Sequence, residues 1–230
     1  MQNHWLASLD AEDQARLKPH LQPHAFERGQ VVHEAGAASE AVWFPTRGAI
    51  SLLTLVERRA VETAVIGAEG LVGATCGPLN GGAMTRAVAQ TDGLASCIEA
   101  GAFSEALAES PRLREAIARH TEMLFAQVQQ IAACNAEHRL EERFARWLLM
   151  LQDRVESPTL HLTQQSVADM LAVRRATVSE VSALLEERGL IRRKRGAIEI
   201  VDRPELERAS CDCYRAINQV MEQLETGGNA

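Results

Sequence analysis

From Arg112 to Leu151 the chain meets neither glycine nor proline, while between Pro19 and Pro111 one or the other recurs throughout. Gly and Pro are the strongest local punctuation a chain carries, so this contrast divides the sequence into a turn-rich part and a long helical part. Leu113, Ile117, Leu124, Val128 and Ile131 recur at helical spacing, with His120 and Gln127 as polar insertions in the same stripe. Pro111 suits the first turn of such a helix because its missing N–H would go unpaired there anyway. One apolar stripe on so long a helix normally lies against a partner helix. Leu113, Ile117, His120, Leu124, Gln127, Val128 and Ile131 are therefore read as a dimer interface. Asn135 can cap a fresh start, and Leu140, Phe144, Trp147, Leu148 and Leu151 form the next apolar face. The chain is expected to change direction near Cys134-Asn135.

Ahead of that helix the pattern is different. Leu6, Leu9 and Leu17 read as helical with Asp10 as an N-cap, and Pro19 and Pro23 then end any helix. Between Phe26 and Ile98 short apolar runs alternate with turn signals. The runs are 30–33, 41–44, 49–55, 61–66 and 87–89, and the turns include Arg28-Gly29, Arg47-Gly48 and Gly77-Pro78. Strands at this spacing predict an antiparallel barrel or sandwich.

The stretch after the helix carries the chemistry. Thr163 is placed to cap a short helix whose inner face is Val167, Ala168 and Leu171. A tight turn through Ala172-Val173-Arg174 leads to a second helix burying Val178, Val181, Leu184 and Leu185, closed by Gly189. Two short helices joined by such a turn form a helix-turn-helix. Two strands around Arg193-Lys194-Arg195-Gly196 add a basic wing. Arg174, Arg175, Thr177, Ser179 and Glu180 occupy the N-terminal end of the second helix, the end that enters a major groove. Arg can pair with guanine and Glu can accept from cytosine. Thr163, Gln164, Arg193, Lys194 and Arg195 suit phosphates, which position without specifying sequence.

The formal charge of -7 argues against nucleic acid until its distribution is considered. From Thr159 to Arg203 eight basic residues face six acidic ones, so this segment carries +2 and the remainder -9. Phosphate attraction is local, screened within about 10 Å, so an acidic protein can hold DNA by a basic face. No apolar run reaches the roughly 20 residues of a membrane helix, and the first residues lack the pattern of a secretory signal. The cytoplasm is the expected location. The five cysteines are odd in number and scattered, which fits reduced thiols. Cys211 and Cys213 fall on an expected helix from Pro204 to Leu224, where one intervening residue would turn them apart. His20 and His24 are spaced like ligands, but Pro19 and Pro23 deny them a helix. Neither a metal nor another cofactor is expected, and no catalytic constellation stands at a plausible spacing, so the chain is read as a non-enzyme.

Taken in order, these parts resemble the Crp/Fnr family of bacterial regulators. The match is strongest from Leu162 to Ile200, with Ala133-Cys134-Asn135, His138-Arg139-Leu140 and Arg143-Phe144-Ala145-Arg146-Trp147-Leu148-Leu149 resembling the family's hinge and following helix. The resemblance implies an α+β chain in three parts. A cyclic-nucleotide-binding-like antiparallel β-roll would occupy 1–110, a dimerisation helix and hinge 111–135, and a winged helix-turn-helix with a C-terminal helix 136–230. It implies a homodimer on a pseudo-palindromic operator in double-stranded DNA, with RNA polymerase as a further partner. Gly73, Ala74, Met84, Thr85 and Arg86 correspond to the family's effector pocket. Two departures stand out. Ala74 replaces the Glu that cyclic-AMP-binding members set against the ribose, and only Arg86 lies near the phosphate position. Arg175-Ala176-Thr177-Val178-Ser179-Glu180 keeps the first Arg and the Thr of the family's reading head but not its Glu and last Arg. The effector is thus open: none, a cyclic mono- or dinucleotide bound by a different residue set, or a haem or redox group. Cys76, His33 and His120 are the available haem ligands. An iron–sulfur cluster of the family's oxygen-sensing type is excluded, because no Cys precedes Cys76.

Overall fold

The computed structural model describes residues 2–57, 59–74, 82–155 and 157–226. Cys76 and the Gly77-Pro78 turn lie outside them. The chain opens with helices α1 (His4–Ser8) and α2 (Ala11–Leu17). Asp10 caps α2 as expected, accepting from the Asp13 N–H at 2.8 Å. Pro23 does end helical structure, yet it sits inside a strand the sequence reading passed over, β1 (Gln22–Phe26). That strand is at a sheet edge, where a proline's missing N–H is tolerated.

The other roll strands are β2 (Val31–His33), β3 (Ala41–Arg47), β4 (Ile50–Val56), β5 (Arg59–Ile66), β6 (Arg86–Ala89) and β7 (Gly93–Glu99). They form two antiparallel sheets, ordered β1-β7-β3 and β2-β6-β4-β5. Phe26, Trp43, Ile50, Ile66 and Val72 belong to one buried cluster within this roll. Gly93 is obligatory there, since a Cβ would lie 2.2 Å from the Phe26 ring.

Helix α3 (Ala100–Glu109) leads to the long helix α4 (Pro111–Glu137), capped by Ser110, whose hydroxyl accepts from the Leu113 N–H at 3.1 Å. The stripe read as a dimer interface proves, apart from Val128 at its border, to be the inward face of α4. Leu113, His120, Gln127 and Ile131 are buried within the chain itself. Ile117 and Leu124 pack beside the roll clusters, and Val128 is half-buried. His120 Nε2 donates to the Leu71 carbonyl at 3.0 Å, and Gln127 Oε1 accepts from the Val65 N–H at 2.8 Å. The polar insertions thus satisfy backbone groups of the roll. A stripe of this width can be covered by the chain's own sheets as well as by a second copy, and the pattern alone does not distinguish the two.

The turn after α4 also lies later than expected. Asn135 is inside α4, and the direction changes at His138-Arg139 before α5 (Leu140–Val155). The Glu142 side chain, three residues on, accepts from the Arg139 N–H at 2.9 Å and does the capping. From Phe144 to Leu151 helix α5 is buried on every side. It can be so because it lies between the roll and the C-terminal elements, in a core that includes Ala49 and Val65 from one and Leu162, Val167 and Val178 from the other.

Then follow β8 (Thr159–Leu160), α6 (Gln164–Met170), α7 (Arg175–Glu187), β9 (Ile191–Lys194), β10 (Ala197–Ile200), α8 (Arg203–Ala209) and α9 (Cys213–Thr226), with the strands ordered β8-β10-β9. The single helix expected from Pro204 to Leu224 is in fact two. The break falls at 210–212, so Cys211 and Cys213 are not turned apart on one helix: both are buried in a cluster with Cys134. No helix of the described residues is long and apolar enough to cross a membrane.

Candidate nucleic-acid interface

Helices α6 and α7 are set by their ends. Thr163 caps α6 in a reciprocal box: its hydroxyl accepts from the Ser166 N–H at 3.0 Å, and the Ser166 Oγ accepts from the Thr163 N–H at 3.0 Å. Ala172 turns the chain with φ +56°, a left-handed conformation that costs an L-residue energy and is usually given to glycine. Arg143 of α5 donates to the Leu171 carbonyl at 2.9 Å and holds the turn against the core. Gly189 closes α7 at φ +75°. Val178, Val181 and Leu185 are buried as expected, but Leu184 is 49% exposed and Ser182 is buried instead. Helical spacing admitted either residue; Ser182 lies on the side of α7 that faces Leu162, Ala197 and Ile198.

The predicted reading head is exposed. Arg174, Arg175 and Glu180 face solvent at the N-terminal end of α7, with Thr177 and Ser179 half-buried behind them. Arg175 Nε donates to Gln164 Oε1 at 3.3 Å, and Gln164 Nε2 donates to Ser179 Oγ at 3.4 Å. Gln164 therefore braces two residues of the reading head, a role beyond the phosphate contact assigned to it. A cleft of about 520 Å³ runs between α6, α7 and the wing, lined among others by Gln164, Gln165, Arg175, Arg193 and Lys194. Gln165 and Ser182 belong to this region and were missed, because neither carries a charge that marks it in the sequence.

Two of the three expected wing cations, Arg193 and Lys194, are already paired. Arg193 Nε lies 2.6 Å from Glu186 Oε2, and its N–H donates to Glu186 Oε1 at 2.7 Å. Lys194 and Arg192 both meet Glu199, at 3.0 and 2.9 Å. The Arg193 N–H and guanidinium hold the Glu186 carboxyl below its ordinary range, and Lys194 with Arg192 does the same to Glu199. Exposed pairs of this kind hold weakly and exchange readily for phosphate oxygens.

The residues matched to an effector pocket are less suited to an anion. Gly73 (φ +99°) is required where a Cβ would lie 2.5 Å from the Ala41 carbonyl. Ala74 packs beside the cluster of Leu71 and Phe44, Met84 is 94% exposed, and Thr85 is half-buried. The Arg86 Nε sits 3.0 Å from the Glu34 carboxylate, so the cation nearest the expected phosphate position is already engaged by an acid. The haem reading fares no better at His120, whose Nε2 is committed to Leu71. Burial lowers the pKa of this ring to about 4, which keeps it neutral.

The Crp-like helix-turn-helix domain model matches residues 142–209, which span α5 to α8. A CRP-family transcriptional regulator from Thermus thermophilus is 25% identical over 81% of this chain and 96% of its own, with a TM-score of 0.64. Residues 142–209 are thus similar to a Crp-like helix-turn-helix domain, and the chain as a whole resembles a CRP-family regulator. Two further solved structures share the fold at lower identity. A second Thermus thermophilus regulator, of the CRP/FNR family, is 22% identical over 82% of this chain and 98% of its own (TM-score 0.67). The c-di-GMP responsive global regulator CLP of Xanthomonas campestris is 16% identical over 84% and 100% (TM-score 0.67). No curated protein matches the chain. The matched helix-turn-helix domain supports DNA binding and transcription regulation.

Proposed function

We propose that this regulator acts in the cytoplasm as a homodimer on a pseudo-palindromic operator, with 1–110 as sensor and 136–230 as reader. The observation that carries the reading is the exposed N-terminal end of α7, flanked by Gln164 and the wing. Arg174, Arg175, Thr177, Ser179 and Glu180 meet base edges, and Thr163, Arg193, Lys194 and Arg195 meet phosphates. The dimer forms through the outward face of α4, where Ala118, Thr121, Phe125, Val128 and Ala132 follow the three-four spacing of a helix seam. Phe125 supports this reading, being a large apolar side chain 61% exposed at its centre. RNA polymerase is the downstream partner, and the effector is not a cyclic mononucleotide held in the standard manner, since Ala74 stands where the ribose-binding Glu would be. Selection of bound genomic fragments by the purified protein tests the proposal: recovered sites should share two inverted half-sites, and recovery of unrelated sequences would overturn it.

A further inference from the structure

We propose that Cys134, His138, Cys211 and Cys213 bind one thiophilic divalent ion of the zinc type. The four come from two segments far apart in sequence. Cys134 and His138 are four residues apart at the C-terminal end of α4, and so share a face. Cys211 and Cys213 bracket the turn into α9, with Asp212 exposed to solvent between them. Packing of α9 along α4 brings the two pairs together.

The number, type and spacing of the ligand atoms suit a four-coordinate site. The Cys134 and Cys211 sulfurs are 3.4 Å apart, Cys213 Sγ is 3.5 Å from His138 Nδ1, and all four ligand atoms lie within 4.8 Å of one another. Zinc–sulfur bonds of about 2.3 Å and zinc–nitrogen bonds of about 2.0 Å place tetrahedral ligand atoms roughly 3.5–3.8 Å apart. Small side-chain adjustments therefore close the shell. All three cysteines are buried and His138 is half-buried, as in structural rather than catalytic sites. The surroundings match as well. Gln130 Nε2 donates to Cys213 Sγ at 3.0 Å, the kind of outer contact that orients a ligand sulfur. The buried guanidinium of Arg146 acts electrostatically on Cys134 and Cys211, offsetting the net negative charge of three thiolates on a divalent ion. A Cys134–Cys211 disulfide would leave Cys213 and His138 without a role; the ion uses all four.

An ion here ties the hinge at the end of α4 to the α8–α9 turn of the reading domain. Its removal frees that domain to change its angle to the long helix. This regulatory consequence rests on the DNA-binding reading above; metal binding itself does not.

The full-length protein, reduced and stripped by chelator, is titrated with Co²⁺ and then with Zn²⁺. One Co²⁺ per chain is expected, with thiolate charge-transfer bands and the intense visible bands of a tetrahedral site, bleached by Zn²⁺. The Cys211→Ser/Cys213→Ser double variant should lose at least 100-fold in affinity. His138→Cys should keep a tetrahedral site with an altered spectrum, while Cys97→Ser should change nothing. Absence of tetrahedral Co²⁺ bands in the reduced wild-type protein overturns the site, whatever the variants do. In a separate arm, binding to a selected operator fragment should weaken at least 10-fold on chelation. Unchanged binding in the stripped protein overturns the regulatory part. Failure to bind DNA with or without metal instead counts against the DNA reading and leaves the metal titration to stand alone.

Discussion

Trp147 Nε1 donates a hydrogen bond to Glu62 Oε1 at 2.8 Å, linking helix α5 of the DNA-binding half to strand β5 of the roll. The Ser51 hydroxyl also donates to this carboxylate, yet burial outweighs both contacts and raises the Glu62 pKa above its ordinary 4.5. Nearby, Arg154 of α5 pairs with Glu69 at 2.6 Å, and Arg28 donates to the His161 carbonyl at 2.6 Å. The two halves are thus joined by specific polar contacts over a shared core, an arrangement through which a change in the roll can reach the reading head.

The raised pKa of Glu62 gives a signed expectation. Its protonated form is favoured in the folded state, so its stabilising share is complete below pH 4.5 and is lost as pH rises through the folded value. Glu62→Gln keeps an acceptor for Trp147 and should remove this fall. Thermal melts of both proteins from pH 4.5 to 8 check it. Trp147→Phe, which removes the donor to Glu62 Oε1 while Ser51 still donates to Oε2, should cost about 1–3 kcal/mol.

His120 acts in the opposite sense. Its pKa is lowered from 6.5 to about 4, so the neutral ring's contribution is complete above pH 6.5 and is lost as pH falls toward 4. The shift corresponds to about 3 kcal/mol. His120→Gln should flatten denaturant-measured stability across that interval while preserving a donor for the Leu71 carbonyl.

Ala172 holds a left-handed conformation that glycine adopts without strain. Ala172→Gly should therefore raise stability by up to about 1 kcal/mol, and Ala172→Val should lower it by about 1–2 kcal/mol. Urea unfolding with an unchanged slope against denaturant would confirm that the effect is local strain.

Phe125 tests the proposed association face. Phe125→Glu should convert a dimer to monomers in sedimentation velocity without lowering the melting temperature of the isolated chain, because the side chain touches solvent there.

The helix-turn-helix was legible residue by residue because its signals are local: a capping Thr163, a small Ala168, the Ala172 turn and the closing Gly189. Five strands of the roll, β2 to β6, were legible as strands for the same reason, while β1, hidden behind Pro23, and β7 (Gly93–Glu99) were not. What escaped the sequence was set by packing between distant segments. The inward stripe of α4 looks the same whether a sheet or a second helix covers it. Likewise, nothing local announces that a break at 210–212 turns Cys211 and Cys213 toward Cys134. The pairing of Arg193 with Glu186, seven residues away across a turn, is equally invisible to spacing.

In the proposed function the N-terminal end of α7 reads DNA sequence while the wing holds phosphate. The most direct measurement is the affinity of Arg175→Ala and Lys194→Ala for a selected operator and for its single-base variants, across a salt series. Arg175→Ala should lose about 1–3 kcal/mol at the operator and relax base preference at one position of each half-site. Lys194→Ala should weaken all sequences alike and reduce the salt slope by about 1. Unchanged affinity and base preference in Arg175→Ala would contradict the placement of α7 in the groove.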